Sequence, residues 1–170
     1  MLVRRARRSD ALAIADVVVR AWKTAYVGLL PQDYLDALEP GDRLPQWEQT
    51  LARSTWPAVL VAEDNGAVVG SCSFGPTGDE DLDRQSVGEV HTLYLDPSRW
   101  GRGEGKALLG AATDELRQAG FDRATLWVLG TNAQARRFYE HLGWRTDGAT
   151  KVHDWVAFVA LDVRYTRPLG

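Results

Sequence analysis

The feature that most constrains this chain is a predicted strand that runs into a glycine-rich turn and then into a predicted helix, at residues 89–106. Residues 89–95 alternate along the chain and are rich in strand formers, which predicts a β-strand. Asp96-Pro97 ends that strand, because proline fixes φ and has no N–H to donate. A helical pattern opens at Lys106, directly after three glycines at alternate positions: Gly101, Gly103 and Gly105.

A strand, a glycine-rich turn and a helix N-terminus in this order are typical of an anion-binding site. Glycines let the backbone approach a ligand closely, several N–H groups point outward together, and the helix dipole favours negative charge. The Walker loop does not fit, because Ala107 stands where it requires Ser or Thr, and the dinucleotide fingerprint does not fit, because Lys106 replaces its third glycine. The segment therefore predicts a phosphate-bearing ligand that neither pattern describes.

A second motif lies at residues 132–144, with the sequence Asn-Ala-Gln-Ala-Arg-Arg-Phe-Tyr-Glu-His-Leu-Gly-Trp. It resembles the pattern Asn-x-x-Ala-x-x-Phe-Tyr-x-x-x-Gly-Phe/Trp of the GNAT superfamily of acyl-CoA-dependent N-acetyltransferases. Residues 100–105 resemble the pyrophosphate loop of the same family, Gln/Arg-x-x-Gly-x-Gly/Ala. Trp100 and Glu104 depart from that loop, where Gln or Arg and an apolar residue are usual. The resemblance covers most of the chain and is closest over residues 89–144.

The size and composition of the chain fit one α/β domain over residues 1–170, since 170 residues with 45% hydrophobic content can enclose a single core. Periodicity and turn signals predict the elements. In chain order these are a strand at 2–6, helices at 11–25, 31–38 (closed by Pro40-Gly41) and about 44–52, a hairpin of strands 58–63 and 67–74, a loop at 75–85, the strand and helix at 89–95 and 103–119, a strand at 124–129, a helix at 132–142, and one or two strands at 152–165. The resemblance implies a mixed, mostly antiparallel central sheet with splayed central strands and helices on both faces.

The resemblance also implies how acetyl-CoA, the expected co-substrate, would be bound. Backbone groups of the central strand and the Asn132 side chain would bind pantetheine; the strand residues are Leu93, Tyr94 and Leu95. The pyrophosphate would lie on the loop formed by Gly101, Arg102, Gly103, Glu104, Gly105 and Lys106, with Arg102 and Lys106 adding positive charge. The Glu104 carboxylate beside the pyrophosphate is unfavourable unless it points to solvent, so this residue bears on the affinity and not on the identity of the ligand. Arg136 or Arg137 would reach the 3′-phosphate, and Arg137 is the residue we select.

By the same resemblance, Tyr139 is the general acid that protonates the departing thiolate, a role that suits a phenol with a pKa near 10. Glu89 is the candidate base that deprotonates the amine, directly or through water; a water chain alone is the alternative. Alternation predicts that His91 shares a strand face with Glu89 and Leu93, where it lines the cleft or packs. Cys72 is an unfavourable acyl carrier, because it lies in an apolar strand without an adjacent base. Trp22 and Tyr26 either pack in the core and lid or face the acceptor, and we select them as acceptor-binding residues.

Several functional classes are disfavoured by composition. A net charge of −3 argues against nucleic-acid binding, and no apolar run reaches membrane-spanning length, so a cytoplasmic protein is expected. The single cysteine excludes an internal disulfide. The three histidines show no ligand spacing, so no metal is expected: His91, His141 and His153.

The amine acceptor stays open among a polyamine, an amino acid, an aminoglycoside-like compound and a protein N-terminus. Acidic residues in the 75–85 loop would attract a cationic amine or simply be solvated: Asp79, Glu80, Asp81 and Asp83. A homodimer through the C-terminal strands is expected by family analogy only. The alternative function is a catalytically silent acyl-CoA-binding regulatory module, which would have no need of a phenol at the thiol.

Overall fold

The computed structural model describes residues 1–155 and 158–170, and of residues 153–155 it describes the backbone only. The side chain of His153, one of the three histidines weighed as metal ligands, lies outside the described residues. Within those ranges the chain forms seven strands and five α-helices. They are β1 (Leu2–Arg5), α1 (Ala11–Ala25), α2 (Gln32–Asp36), α3 (Pro40–Leu51), β2 (Ala58–Asp64), β3 (Ala67–Pro76), β4 (Val87–Leu95), α4 (Glu104–Gln118), β5 (Arg123–Leu129), α5 (Ala133–His141), β6 (Arg145–Trp155) and β7 (Phe158–Pro168).

The seven strands form one sheet in the order β1-β2-β3-β4-β5-β7-β6. Every neighbouring pair is antiparallel except β4 and β5, which run parallel and are joined by α4. This arrangement follows from the connections, because hairpins join antiparallel strands whereas a parallel pair needs a crossover. The predicted mixed, mostly antiparallel sheet is confirmed.

Helices cover both faces of this sheet and enclose two apolar clusters. On one face α4 buries Leu108 and Leu116 against Phe74 and neighbouring strand residues. On the other face α1 buries Ile14, with α3 beside it, against Val61 and its neighbours. Apolar burial on both faces stabilises the sheet as the rigid floor of the site.

The two central strands pair over only four residues and then separate. Val87 to Val90 of β4 face Arg123 to Leu126 of β5, and beyond that point β4 pairs only with β3 while β5 pairs only with β7. The predicted splay between the central strands is therefore present. It opens a cleft in the middle of the sheet.

Two local predictions were wrong in instructive ways. Pro40-Gly41 was expected to close a helix, but Pro40 is the first residue of α3. Proline fits there because the first turn of a helix has no use for its missing N–H. The strand face predicted to hold Glu89, His91 and Leu93 is also interrupted. Ser73 of β3 lies opposite Thr92, but the next residue of β3 lies opposite Val90. His91 is therefore an extra, unpaired residue in a β-bulge.

None of the helices in residues 1–155 and 158–170 combines the length and the apolar character that a membrane-spanning helix needs.

The tight hairpin between β2 and β3 is as predicted, with Asn65 at φ 50° and Gly66 at φ 80°. Positive φ at both central residues is the turn geometry that matches strand twist.

Candidate active site

The cleft between β4 and β5 has a volume of about 840 Å³ and brings together most of the predicted site residues. One end is formed by the glycine-rich loop and α4, and the other by α1 and β7. The predicted residues that line it are Trp22, Tyr26, Glu89, Leu93, Tyr94, Leu95, Gly101, Gly103, Glu104, Gly105, Lys106, Asn132 and Tyr139. Arg102 and Arg137 are exposed and are not among the lining residues. Their roles stay predictions.

The glycine-rich loop has the backbone conformation that the sequence predicts. Gly101 has φ 76° and Gly103, the N-cap of α4, has φ 84°, a region that other residues rarely adopt. A Cβ at Gly105 would lie 2.9 Å from Leu95 Cδ1, so the loop approaches the central strand closely. The first N–H groups of α4 have no partner within the helix, and Glu104, Gly105 and Lys106, which carry them, line the cleft. This arrangement fits a diphosphate.

The Glu104 carboxylate does not point to solvent, the orientation in which it would least oppose a pyrophosphate. Glu104 is buried, and its carboxylate accepts hydrogen bonds of 3.1 and 3.0 Å from Nε of Arg99. Arg99 also donates to Asp64 Oδ2 at 2.9 Å, which ties the loop to the end of β2. The positive guanidinium offsets the negative charge beside the anion site. Sequence reasoning missed Arg99, because its partners are fixed by the fold.

The open edge of β4 presents two of the three predicted backbone groups. Asp96 N–H donates to Val69 on β3, and backbone groups alternate sides along a strand. Leu93 and Leu95 therefore face the cleft, whereas the backbone of Tyr94 faces β3, which corrects the prediction for that residue. Tyr94 contributes its side chain to the cleft instead. The Leu95 carbonyl also accepts a hydrogen bond of 3.1 Å from the Trp100 indole.

Asn132, the N-cap of α5, lines the cleft. The first turns of the same helix also decide between the two arginines considered for the 3′-phosphate. Asn132 Oδ1 accepts the Ala135 N–H at 3.0 Å as a helix cap, which leaves the amide NH₂ to donate into the cleft. Arg136 donates to the Tyr165 hydroxyl and to the Gly130 carbonyl, both at 3.0 Å. Its guanidinium is thus held inside the fold, and the Arg136 alternative for the 3′-phosphate is not supported.

Tyr139 lies in the cleft between aromatic rings, 5.2 Å from the Phe138 centroid and 6.2 Å from that of Trp144. Burial raises the pKa of its phenol above the ordinary value of 10, because the charged phenolate is poorly solvated there. Its hydroxyl makes no hydrogen bond within the described part of the chain. The phenol is therefore protonated at neutral pH, with its proton available.

Glu89 is held by three donors at the closed end of the splay. The Gly78 N–H and the Thr77 hydroxyl donate to its Oε2 at 3.0 and 3.2 Å, and His91 Nδ1 lies 3.4 Å from its Oε1. Burial acts to raise the pKa of Glu89, but the contacts from His91, Gly78 and Thr77 together outweigh it and hold the pKa below its usual range. The carboxylate is therefore ionised at neutral pH and weakly basic.

The end of the cleft at α1 and β7 has aromatic walls and several charges. The Trp22 ring lies 4.8 Å from that of Tyr26 and 6.4 Å from that of Tyr94, and the Arg43 guanidinium lies 4.9 Å above Trp22. Burial raises the pKa of Tyr26. Sequence reasoning missed five further lining residues, which no local motif marks: Arg43, Trp127, Lys151, Phe158 and Asp162.

Three of the four acidic residues of the acidic loop, residues 77–86, have partners within the described structure; the fourth, Glu80, is exposed. Asp79 and Asp81 both pair with Arg164 of β7, at 3.0 and 2.7 Å. Asp83 accepts hydrogen bonds from Gln85 N–H and the Ser86 hydroxyl inside the loop. These carboxylates hold the loop in place, so their charge is largely offset before any amine approaches.

Comparison with known proteins places the chain in a family. The model of the Acetyltransferase (GNAT) family matches residues 19–144. The uncharacterized N-acetyltransferase YuaI of Bacillus subtilis is 34% identical over 130 residues, which cover 76% of this chain and 72% of that protein. The L-amino acid N-acyltransferase MnaT of Escherichia coli is 30% identical over 143 residues, covering 84% of this chain and 78% of MnaT.

Solved structures show the same fold at low identity. The PaiA N-acetyltransferase of Thermoplasma acidophilum, in complex with coenzyme A, has a TM-score of 0.76 at 18% identity, covering 98% of both chains. The YncA acetyltransferase of Salmonella typhimurium, with acetyl-CoA, has a TM-score of 0.73 at 24% identity, covering all of this chain and 94% of that one. With the family match and the two relatives, this chain belongs to the GNAT acetyltransferase family and is an N-acetyltransferase.

Proposed function

We propose that the protein transfers the acetyl group of acetyl-CoA to the primary amine of a small molecule, by direct attack in a ternary complex. The observation that carries this proposal is that one cleft contains both a glycine-rich helix N-terminus, which fits a diphosphate, and the protonated phenol of Tyr139. A thioester is already activated, so the enzyme has to position it, supply a neutral amine and protonate the thiolate. Relatives named as N-acetyltransferases support the enzyme over the catalytically silent alternative.

The residues of the cleft fit acetyl-CoA along its length. The loop from Gly101 to Lys106 would hold the pyrophosphate through backbone N–H groups and the Lys106 ammonium. The open backbone of Leu93 and Leu95, with the Asn132 amide, would hold the pantetheine. The close approach at Gly105, where no Cβ fits without displacing Leu95, leaves a backbone surface for the ligand. Arg102 and Arg137 would add charge at the exposed end.

Tyr139 would act as the general acid. Its raised pKa keeps it protonated, and a thiolate that leaves beside it has a donor already in place. In the same proposal Glu89 would accept the amine proton. Because hydrogen bonds hold its carboxylate and lower its pKa, it is a weak base whose role suits transfer through a water molecule rather than direct contact.

The acceptor that suits the far end of the cleft is a small amine that also carries a negative group, such as an amino acid. Arg43 and Lys151 both line the cleft, and neither pairs with a carboxylate of the described residues. Trp22 and Tyr26 would contact the apolar part of the acceptor. MnaT, by its name, acts on L-amino acids, which supports this class.

We also propose that two copies associate through the β6–β7 hairpin. Val152, Val159 and Leu161 are 64%, 71% and 50% exposed, and Val152 lies opposite Leu161 in the ladder. An apolar group of this kind on an outer strand pair is typical of a surface that another chain covers. A single domain over residues 1–170 is part of the proposal as well.

The test is a comparison of Tyr139→Phe with Tyr34→Phe, a matched phenol outside the cleft lining. Acetyl-CoA binding is measured by calorimetric titration, and turnover by release of the CoA thiol with a panel of L-amino acids. Tyr139→Phe should lower turnover about 10²–10⁴-fold, the usual contribution of a general acid, and leave acetyl-CoA affinity nearly intact. Tyr34→Phe should change neither quantity. Unchanged turnover in Tyr139→Phe would rule the residue out as the acid.

A further inference from the structure

Arg164 lies almost fully buried on β7 and contacts three carboxylates. Its Nη1 and Nη2 donate to the two carboxylate oxygens of Asp81 at 2.8 and 2.7 Å. Nη1 also donates to Asp79 at 3.0 Å. On the other side, Nε donates to Asp147 of β6 at 2.7 Å. Its side chain is 6% exposed. A planar guanidinium that binds carboxylates in two directions fixes their orientation as well as their charge.

Asp79 connects Arg164 to the rest of the acidic loop through further hydrogen bonds. Its carboxylate also accepts the Trp127 indole N–H at 3.0 Å, and its own N–H donates to the Thr77 hydroxyl at 3.1 Å. The loop is thereby attached to β5 and β7 at one residue. Thr77, buried to 1% exposure, is the next residue in the network.

The network ends on the proposed base. The Thr77 hydroxyl, which accepts the Asp79 N–H, donates to Glu89 Oε2, and the Gly78 N–H donates to the same oxygen. The described groups that face Glu89 are His91 on its own strand, these two loop donors, and the uncharged neighbours Gly75 and Thr125 on β3 and β5. Two of its three donors therefore come from the loop that Arg164 holds.

We propose that Arg164 is a positioning residue for the reaction, which orients the Glu89 carboxylate by holding Thr77 and Gly78 against it through Asp79. This inference depends on the proposed role of Glu89 as the base. It assigns a functional role to a buried arginine on β7, 75 positions along the chain from Glu89. It also accounts for the pairing of two loop carboxylates, Asp79 and Asp81, with one buried arginine.

The experiment titrates the Glu89 carboxyl carbon by NMR in protein labelled with ¹³C at the glutamate carboxyl group. The Glu89→Gln variant identifies the signal, and no acceptor is needed. In Arg164→Met the loop donors lose their support, burial dominates, and the pKa of Glu89 should rise by about one unit. Asp147→Asn is the matched control, because it removes a partner of the same arginine on the side away from the loop. It should leave the pKa unchanged.

Two further variants separate positioning by the guanidinium from the effect of its positive charge alone. Arg164→Lys keeps the positive charge but lacks the planar fork, so positioning predicts that the pKa of Glu89 still rises, whereas charge alone predicts no change. Thr77→Val removes the linking hydroxyl while leaving the arginine and its carboxylates intact. It should also raise the pKa, and it keeps the test decisive if the Arg164→Met protein does not fold.

The outcomes distinguish this inference from the proposed function. An unchanged pKa of Glu89 in Arg164→Lys and Thr77→Val would overturn the positioning role, even if Glu89 is the base. If Glu89→Gln retains full turnover with an accepted amino acid, the base assignment fails, and the inference fails with it. If Glu89→Gln is impaired and the pKa rises in both variants, turnover at low pH should fall in those variants as well, with KM for acetyl-CoA unchanged.

Discussion

Arg99 and Glu104 form an ion pair beneath the glycine-rich loop, with Arg99 Nε 3.0 Å from Glu104 Oε2. Glu104 is 7% exposed, and Arg99 also reaches Asp64, so one guanidinium joins the start of α4 to the β2–β3 hairpin. A carboxylate at this position would otherwise oppose a diphosphate. The pair explains how the loop tolerates a residue that departs from the family pattern.

Replacing Arg99 with Met should weaken acetyl-CoA binding about tenfold, because an uncompensated negative charge would then lie close to the diphosphate. Calorimetric titration measures the effect. The double variant Arg99→Met/Glu104→Gln, which removes both charges, should recover most of the affinity. Equal affinity in wild type and Arg99→Met would show that the pair does not influence the ligand.

Gly103 should not tolerate a side chain, because its φ of 84° is strained for any other residue. Gly103→Ala is expected to lower acetyl-CoA affinity, and Gly103→Glu to abolish it by adding a charge at the anion site. Gly110→Ala is the control, since Gly110 lies inside α4 with open space around its Cβ position. That substitution should stabilise the protein by about 0.4–1 kcal/mol and leave affinity unchanged. Equal affinities in all three variants would contradict the anion site.

Features encoded locally could be predicted from the sequence. The conformation of Gly103 and the Asn65-Gly66 turn follow from the few residues around them, as does the helix that presents Asn132 and Tyr139. Such features depend on turn chemistry and on spacing along one element. The resemblance added the splay of the central strands, which no periodicity contains.

Features that depend on contacts far apart in the sequence were not predictable. Arg164 and Asp79 are separated by 85 residues, and Arg99 and Asp64 by 35, so their pairing exists only once the sheet has formed. The bulge at His91 depends on the register of β3 against β4. Pro40 shows a different limit, since proline is common both after helices and at their first turn.

Cys72 should play no covalent role, and acetyl transfer should therefore be direct. The thiol is fully buried, and burial raises its pKa, so the nucleophilic thiolate is scarce at neutral pH. Cys72→Ala is expected to keep the wild-type turnover per folded molecule, although the cavity lowers stability. Mass spectrometry of wild type mixed with acetyl-CoA should show no added acetyl group. A stable acetyl-enzyme that is lost in Cys72→Ala would contradict direct transfer.

Leu161→Asp should dissociate the proposed dimer, because a carboxylate would be buried in the apolar contact between the hairpins. Size-exclusion chromatography with light scattering measures the mass of both proteins. Leu12→Asp is the control, since Leu12 is a similarly exposed leucine, at 56%, on α1. It should leave the mass unchanged. A wild-type protein that is monomeric at high concentration would rule the dimer out.

Asp10 should make stability depend on pH in acid. Its carboxylate accepts 2.7 Å hydrogen bonds from Arg4 and from the Arg7 N–H, and the Arg4 contact is the largest cause of its lowered pKa. A folded-state pKa below the unfolded value means that the stabilisation is present above about pH 3.9 and is lost as the pH falls through the folded pKa. Asp10→Asn should thus cost about 1–3 kcal/mol at pH 7.

The difference in unfolding free energy between Asp10→Asn and wild type should shrink as the pH falls below about 3.9, because the protonated wild-type carboxyl then resembles the amide. Urea denaturation at pH 7 and at low pH measures both values. Asp16→Asn is the matched control, since Asp16 makes an exposed ion pair with Arg20 on the same helix. It should change stability by less than about 1 kcal/mol. A difference for Asp10→Asn that is equal at both pH values would show that its charge does not stabilise the fold.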